Sequence, residues 1–142
     1  MRKITLIVVH CTAGAQTQGA ADIVRYHTLP RSRGGLGWRT PGYHYIVEPS
    51  GMVVQIVPDL DVANGVKCHN ANSIHVAYIG GVDITRRDLP PLDNRTDAQK
   101  KSLRELLQRL RRLYPSARIV GHRNLARKAC PSFDALSEYA DL

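Results

Sequence analysis

The chain has 142 residues, of which 43% are hydrophobic, and its formal net charge is +8. This size predicts one domain with a modest core, and no apolar run reaches the roughly 18–20 residues that a transmembrane helix needs. The three cysteines, an odd number, argue against a disulfide framework, and the positive charge favours a polyanionic partner such as nucleic acid, an anionic membrane surface or a cell-wall polymer.

The N-terminal part of the chain begins with a predicted strand. Residues 3–9, KITLIVV, are β-branched and almost entirely apolar, which is typical of a buried central strand. This run is short for a signal peptide and His10 interrupts it, so we expect a protein made in the cytoplasm without a secretion signal. Residues 19–27 form a short predicted helix, and residues 29–42 form a loop dense in glycine, proline and arginine.

The middle of the chain predicts a hairpin and one further strand. Residues 43–47 and 52–57 have strand composition and flank the turn sequence EPSG. Residues 73–81, SIHVAYIGG, form another predicted strand that ends on paired glycines, and the polar residues 82–95 form a loop.

The clearest predicted helix covers residues 96–114. Thr96 and Gln99 have the spacing of a capping box, in which each side chain bonds the backbone N–H of the other residue. Five leucines recur at helical spacing and predict a buried stripe: Leu103, Leu106, Leu107, Leu110 and Leu113. Pro115 ends this helix.

A strand at residues 117–122 and a short helix at residues 133–139 complete the predicted elements. Strands and helices are therefore mixed along the chain, with one hairpin. This order predicts a single α/β domain, residues 1–142, with a central mixed β-sheet flanked by helices.

Three residues have side chains that suit a metal. His10 and His122 end the first and last predicted strands, and Cys130 follows in a loop. Two imidazoles and a thiolate suit zinc, and three protein ligands leave a fourth position for water, as in catalytic zinc sites. The alternative is that Cys130 is a small buried apolar residue and that the histidines are unrelated. Spacing alone does not decide, because it does not say whether the first and last strands are neighbours.

Four segments carry a resemblance to a known family. VVHCTAG, GYHYIV, SIHVAYIGG and GHRNLARKACPSFD resemble the type 2 N-acetylmuramoyl-L-alanine amidases, the zinc amidases of bacteriophage lysozymes, which are related to the peptidoglycan recognition proteins. The segments occur in the order found in the family and extend over residues 4–133. The last segment is the most specific, with a strand-ending GH, then a lysine, then ACPSF.

The resemblance implies an activity and a set of site residues. It implies hydrolysis of the amide bond between N-acetylmuramic acid and L-alanine in bacterial peptidoglycan, with one Zn²⁺ per chain that activates water. The implied zinc ligands are His10, His122 and Cys130. The implied catalytic residues are Tyr43, which orients the water or relays a proton, and Lys128, which stabilises the oxyanion.

The sequence also suggests roles for residues outside the implied metal and catalytic set. His69 resembles a histidine near the substrate cleft of the family, and Arg39, in the glycine-rich loop, could hold anionic groups of the substrate. Strand alternation predicts that His44 points away from Tyr43 and has a structural role. His75 stands where relatives commonly carry a small residue, so it could alter packing or the shape of the pocket. Cys11 is predicted to be a buried thiol, and Cys68 has no assigned role.

Competing interpretations remain at this stage. The first alternative is a non-catalytic module that binds muropeptides in the same groove, and a second is a basic protein that binds nucleic acid or a polymerase. A branch of the family that recycles wall fragments in the cytoplasm typically has an aspartate as third ligand, so Cys130 favours the active, endolysin-like amidase. We therefore expect bacterial peptidoglycan as the partner, a monomer, no nucleic-acid or membrane partner, and action on the wall after release by a pore or by lysis.

Overall fold

A computed structural model describes all residues from 1 to 142. Its five strands and three α-helices confirm the predicted α/β fold with a central mixed sheet. In chain order the elements are β1 (Leu6–Cys11), α1 (Ala20–Thr28), β2 (Tyr45–Val47), β3 (Val53–Gln55), β4 (Ser73–Tyr78), α2 (Asp97–Leu113), β5 (Arg118–Gly121) and α3 (Ala135–Glu138). None of these helices combines the length and the apolar composition that crossing a membrane requires.

The sheet has the strand order β3-β2-β4-β1-β5. Strand β1 pairs in parallel with both β4 and β5, β4 pairs in parallel with β2, and β3 is antiparallel to β2 as the second strand of the predicted hairpin. The apolar sequence of β1 fits this interior position, because other parts of the chain pack on both faces of the sheet there. The pairing of Val9 with Gly121 places the carboxyl ends of β1 and β5 side by side.

Helix α2 covers one face of the sheet. Its leucines join the alternate residues Ile7, Val9 and Cys11 of β1 in the main hydrophobic core. Four of the five leucines in the predicted stripe are buried, but Leu113 is 59% exposed, so the prediction for Leu113 was wrong. Leu113 is the last helical residue, and at about 100° per residue it lies at the margin of the apolar face.

The opposite face of the sheet has smaller apolar clusters. Helix α1 packs Ala20 and Ile23 against this face, while Val66 packs on Val8 and Val120. The remaining space on this face holds buried imidazoles, the side chains of His10, His44 and His75. The sheet therefore separates an apolar core on one side from a layer of polar, titratable groups on the other.

Strand β4 is shorter than the sequence predicted. It ends at Tyr78 instead of continuing to Gly81, because Gly80 and Gly81 have φ angles of 138° and 95°. These left-handed conformations favour glycine and end the extended strand. Strand β2 likewise begins at Tyr45, two residues later than predicted, with consequences for the orientation of Tyr43 and His44.

The predicted capping box is present and reaches the sheet. The Gln99 backbone N–H donates to Thr96 Oγ1, and the Thr96 N–H donates to Gln99 Oε1, both at 3.0 Å. Gln99 is fully buried, and its Nε2 donates to the carbonyl oxygens of Val47 at 3.1 Å and Ile79 at 2.9 Å. One side chain thus caps α2 and ties its N-terminus to the ends of β2 and β4.

We predict that Gln99→Ala lowers the free energy of unfolding by about 2 kcal/mol, because a buried polar group left without a partner costs about 1–3 kcal/mol. Chemical denaturation followed by circular dichroism measures this change. Gln108→Ala, on the exposed side of the same helix, is the matched control and should change stability by less than about 0.5 kcal/mol. Equal stability of the two variants would contradict the bridging role of Gln99.

Candidate active site

The three side chains predicted to bind metal meet at one edge of the sheet. His10 is the penultimate residue of β1, and His122 immediately follows β5. The potential ligand atoms of His10, His122 and Cys130 all lie within 4.8 Å of one another. The distance from Cys130 Sγ to His10 Nδ1 is 3.8 Å, and the two imidazole centroids are 4.8 Å apart. The parallel pairing of β1 and β5 is what brings the two histidines together.

The loop that carries Cys130 is held by hydrogen bonds on both sides of the cysteine. The backbone N–H of Arg123 donates to the Cys130 carbonyl at 2.8 Å. The buried Tyr78 hydroxyl donates to the Pro131 carbonyl at 2.6 Å, and the Ser132 hydroxyl donates to the Gly81 carbonyl at 2.7 Å. The Cys11 N–H also donates to Cys130 Sγ at 3.2 Å. These contacts bring Cys130 to the end of β1 from a distant part of the sequence.

The donor set and its spacing fit a zinc ion. With Zn–S of about 2.3 Å and Zn–N of about 2.0 Å, sulfur and nitrogen ligands of a tetrahedral zinc lie roughly 3.5 Å apart, close to the observed spacing of Cys130 and His10. Burial, with a smaller effect of His75 and His122, lowers the pKa of His10 well below its usual value. Burial also lowers the pKa of His122, and the Lys128 ammonium adds to that shift. Both imidazoles are therefore neutral at neutral pH, the form that binds a metal.

The two neighbouring thiols affect each other. The hydrogen bond with Cys11, together with burial, raises the pKa of the Cys130 thiol in the absence of a cation. A coordinated divalent cation reverses this balance, because it deprotonates a ligating thiol. Cys11 itself is buried, as its place in the strand predicts, and it points to the α2 side of the sheet. Cys68 is exposed, and all three thiols are free.

A cleft of about 210 Å³ opens above the three candidate ligands. Its lining includes both predicted catalytic residues, Tyr43 and Lys128. Lys128 is exposed and lies two positions before Cys130, so a single loop carries a cation and a candidate metal ligand to the same cleft. The Tyr43 ring lies 5.1 Å from the His10 ring between centroids, and burial raises the pKa of its hydroxyl above the usual range.

Tyr43 and His44 do not point to opposite faces, as alternation predicted. Tyr43 packs against His10, while His44 stacks on His75 with ring centroids 5.9 Å apart, so both lie on the histidine side of the sheet. The reason is that both residues precede β2, where the regular pleat has not begun. His44 is fully buried, and its Nδ1 accepts a hydrogen bond from the His75 N–H at 2.9 Å, which agrees with a structural role.

The cleft contains two aromatic side chains that the sequence reasoning did not assign to the site. His27 of α1 and Trp38 of the following loop pack with ring centroids 4.8 Å apart, and both line the cleft. His27 Nδ1 accepts a hydrogen bond from the Gly42 N–H at 3.0 Å, which ties α1 to the segment that carries Tyr43. The available signal was a histidine on the apolar side of a predicted helix, but that pattern equally fits a core histidine.

The two predicted substrate-binding residues lie in different surroundings. Arg39 lines a second cleft of about 310 Å³ that adjoins the first, since Asn64 lines both. His69 lines neither cleft; it is half-buried at the start of a short 3-10 turn, Asn70–Asn72.

Known proteins resemble this chain over most of its length. The sequence matches the N-acetylmuramoyl-L-alanine amidase family over residues 1–133. It is 38% identical to the endolysin of Escherichia phage T7 over 131 residues, which cover 90% of this chain and 80% of that protein.

Solved structures share the fold over nearly the whole chain. The endolysin of Thermus scotoductus MAT2119 bacteriophage Ph2119 superposes with a TM-score of 0.78 at 30% identity, covering 99% of this chain and 85% of that one. The amidase LysC of Clostridium intestinale URNW has a TM-score of 0.75 over 97% of this chain and 83% of its own, but its 20% identity establishes only a common fold. On the family match and the phage relatives together, the chain belongs to the N-acetylmuramoyl-L-alanine amidase family.

Proposed function

We propose that this protein is a zinc-dependent amidase that hydrolyses the bond between N-acetylmuramic acid and L-alanine in bacterial peptidoglycan. The observation that carries the proposal is the convergence of the ligand set His10, His122 and Cys130 with Tyr43 and Lys128 at one cleft. Membership of the amidase family supports the same reaction. The catalytic domain of this proposal spans residues 1–142.

His10, His122 and Cys130 would hold one zinc ion per chain. Bound there, the ion supplies a Lewis acid and lowers the pKa of a water molecule toward neutrality. The three residues leave one side of the ligand cluster facing the cleft, where an amide can approach. The cluster consists of two imidazoles and a thiol and contains no carboxylate.

Lys128 stabilises the negative charge that develops on the carbonyl oxygen of the scissile amide. Only Ala129 separates Lys128 from Cys130, so the backbone of this loop limits how far the ammonium group can lie from the candidate ligands. A cation at the edge of a partly enclosed cleft interacts more strongly with a developing charge than the same cation in bulk water, because fewer waters screen it.

Tyr43 acts as a hydrogen-bond donor in this proposal. Because burial raises the pKa of its hydroxyl, the phenol stays protonated at neutral pH. Its ring packs between His10 and His27, with centroids 5.1 Å and 5.2 Å away, which restricts the direction of the hydroxyl. In this proposal Tyr43 orients the attacking water through a donated hydrogen bond or relays a proton.

The adjoining cleft provides a place for the stem peptide. Arg39 stands over it and can bind a stem carboxylate, while Asn64 connects it to the catalytic cleft. We retain His69 as a more distant substrate-binding residue. The protein is proposed to act as a monomer made in the cytoplasm that reaches the wall after release by a pore or by lysis, with neither nucleic acid nor membrane as a partner.

The products of wall digestion test the proposed reaction directly. The purified protein should release stem peptides with a new N-terminal alanine and should produce no new reducing sugar ends. Mass spectrometry together with a reducing-sugar assay measures both. New reducing ends alone would indicate a glycosidase, and wall that is bound but left intact would favour the non-catalytic binding module.

The metal assignment predicts that Cys130→Ser loses most of its zinc, because zinc sites are built from thiolate and imidazole rather than from hydroxyl ligands. Elemental analysis of the parent protein should give one zinc per chain. The control is Cys68→Ser, which removes an exposed thiol that is not part of the cluster and should retain full zinc content. If Cys130→Ser retained zinc and Cys11→Ser lost it, the sulfur ligand would be Cys11, and the assignment of Cys130 would be wrong.

Lys128→Ala and Tyr43→Phe should keep zinc and fold but lower kcat/KM. Loss of one group that stabilises the oxyanion typically costs about 10²–10³ in rate. The matched controls are Arg127→Ala, an exposed neighbouring cation outside the cleft lining, and Tyr26→Phe, an exposed tyrosine of α1. Parental turnover in Lys128→Ala, measured by release of free stem peptide, would rule out its catalytic role.

A further inference from the structure

A chain of three side chains, two of them fully buried histidines, leads away from the proposed metal site. His10 Nε2 lies 2.9 Å from His75 Nδ1, and His75 Nε2 lies 2.9 Å from Asn70 Oδ1. His10 and His75 are 1% and 0% exposed. His75 belongs to β4, next to β1 in the sheet, and both side chains project from the same face. The proposed reaction assigns no role to His75 or Asn70. His75 nevertheless contacts His10 directly, and Asn70 contacts His75.

Backbone hydrogen bonds identify which atom Asn70 presents to His75. Asn70 Oδ1 accepts from the backbone N–H groups of Gly65 at 3.0 Å and Val66 at 2.8 Å. Two donors at one atom require that atom to be the amide oxygen rather than the nitrogen. The Asn70 amide group is therefore oriented by the main chain of the 65–66 segment, independently of the histidines.

This orientation determines the protonation of both imidazoles. Because Asn70 Oδ1 can only accept, His75 must carry its proton on Nε2. A neutral imidazole has one N–H, so His75 Nδ1 has a lone pair and can only accept from His10. His10 must then carry its proton on Nε2, which leaves the lone pair on Nδ1, the nitrogen that lies 3.8 Å from Cys130 Sγ.

We propose that Asn70 and His75 are positioning residues that fix the tautomer and ring orientation of His10, so that its Nδ1 lone pair faces the metal. This inference rests on the proposed zinc site and extends it by two residues that do not themselves bind the ion. Groups that accept a hydrogen bond from a metal-binding histidine increase its basicity and hold its ring in place.

Gly65 provides a second observation in support of this arrangement. A Cβ atom added to Gly65 would overlap the His75 ring at Cγ and Nδ1, so the ring occupies space that only glycine leaves open. Gly65 is also one of the two residues whose N–H groups orient Asn70. The 64–75 segment therefore accommodates the His75 ring and sets its hydrogen-bond partner at the same time.

The test measures zinc affinity by competition with a chelator, a readout that does not depend on turnover. His75→Leu, which fills the space but accepts no hydrogen bond, should weaken zinc binding by about 10–100-fold. His75→Asn places an amide oxygen near the position of Nδ1 and should recover most of that loss. Gly65→Ala, which displaces the ring while retaining His75, should also weaken binding.

A matched control separates positioning from general stability. Val76→Ala removes buried volume from the next residue of β4, on the α2 side of the sheet, and should leave zinc affinity within about two-fold of the parent. His10→Ala tests the underlying metal site: unchanged affinity in this variant would overturn both the zinc assignment and the present inference. Strong loss in His10→Ala with parental affinity in His75→Leu would overturn the inference alone.

Nuclear magnetic resonance of the zinc-loaded protein with ¹⁵N-labelled histidine tests the tautomers directly. The expected result is a proton on His10 Nε2 and a scalar coupling across the hydrogen bond to His75 Nδ1. A role of His75 in packing alone would not require that coupling. A proton located on His75 Nδ1 instead would contradict the proposal.

Discussion

The parallel pairing of β1 with β5 is the constraint on which the site depends. These strands belong to opposite ends of the sequence, yet their register places Val9 beside Gly121, so the residues that follow, His10 and His122, emerge at the same edge. The loop after β5 then brings Cys130 to the end of β1, where the Cys11 N–H donates to its Sγ. In parallel sheets the carboxyl ends of neighbouring strands meet at one edge, and loops there commonly form the binding crevice. The proposed catalytic lysine is carried on the same loop.

The two faces of the sheet bury different kinds of side chain. The leucines of α2 cover one face with a continuous apolar core, and Gln99 ties that helix to the carboxyl ends of β2 and β4. The other face has less apolar cover and buries His10, His44 and His75 instead. Burial lowers the pKa of each of these three imidazoles, which favours the neutral form that can both donate and accept a hydrogen bond. Stability of the scaffold is thus largely separate from the electrostatics of the site.

The residues proposed to position His10 share one segment, residues 64–75, with residues that line the two clefts. Asn64 lines both clefts, Gly65 lines the catalytic cleft, and Asn70 lines the adjoining cleft while it accepts from His75. A change in this segment can therefore alter the shape of both clefts and the orientation of His10 together. His75 stands where the sequence resemblance led us to expect a small residue, and in the structure it has hydrogen-bond partners on both ring nitrogens rather than merely occupying volume.

Local pattern and resemblance were enough to predict the elements and the family: the apolar β1, the capped α2, the turns, and the motifs around His10, Tyr43 and Cys130. The sequence did not determine which strands are neighbours, because hydrophobic periodicity reports the burial of a residue and not its partner across the sheet. Only the tertiary structure shows that His10 lies beside His122 and that Tyr43 and His44 lie on the same side of the sheet. It also shows that Leu113 is exposed. The hydrogen bonds from His10 to His75 and from His75 to Asn70 are likewise visible only there. Each of these outcomes depends on contacts between residues far apart in the chain or on where an element ends, and such contacts form only when the whole sheet has assembled.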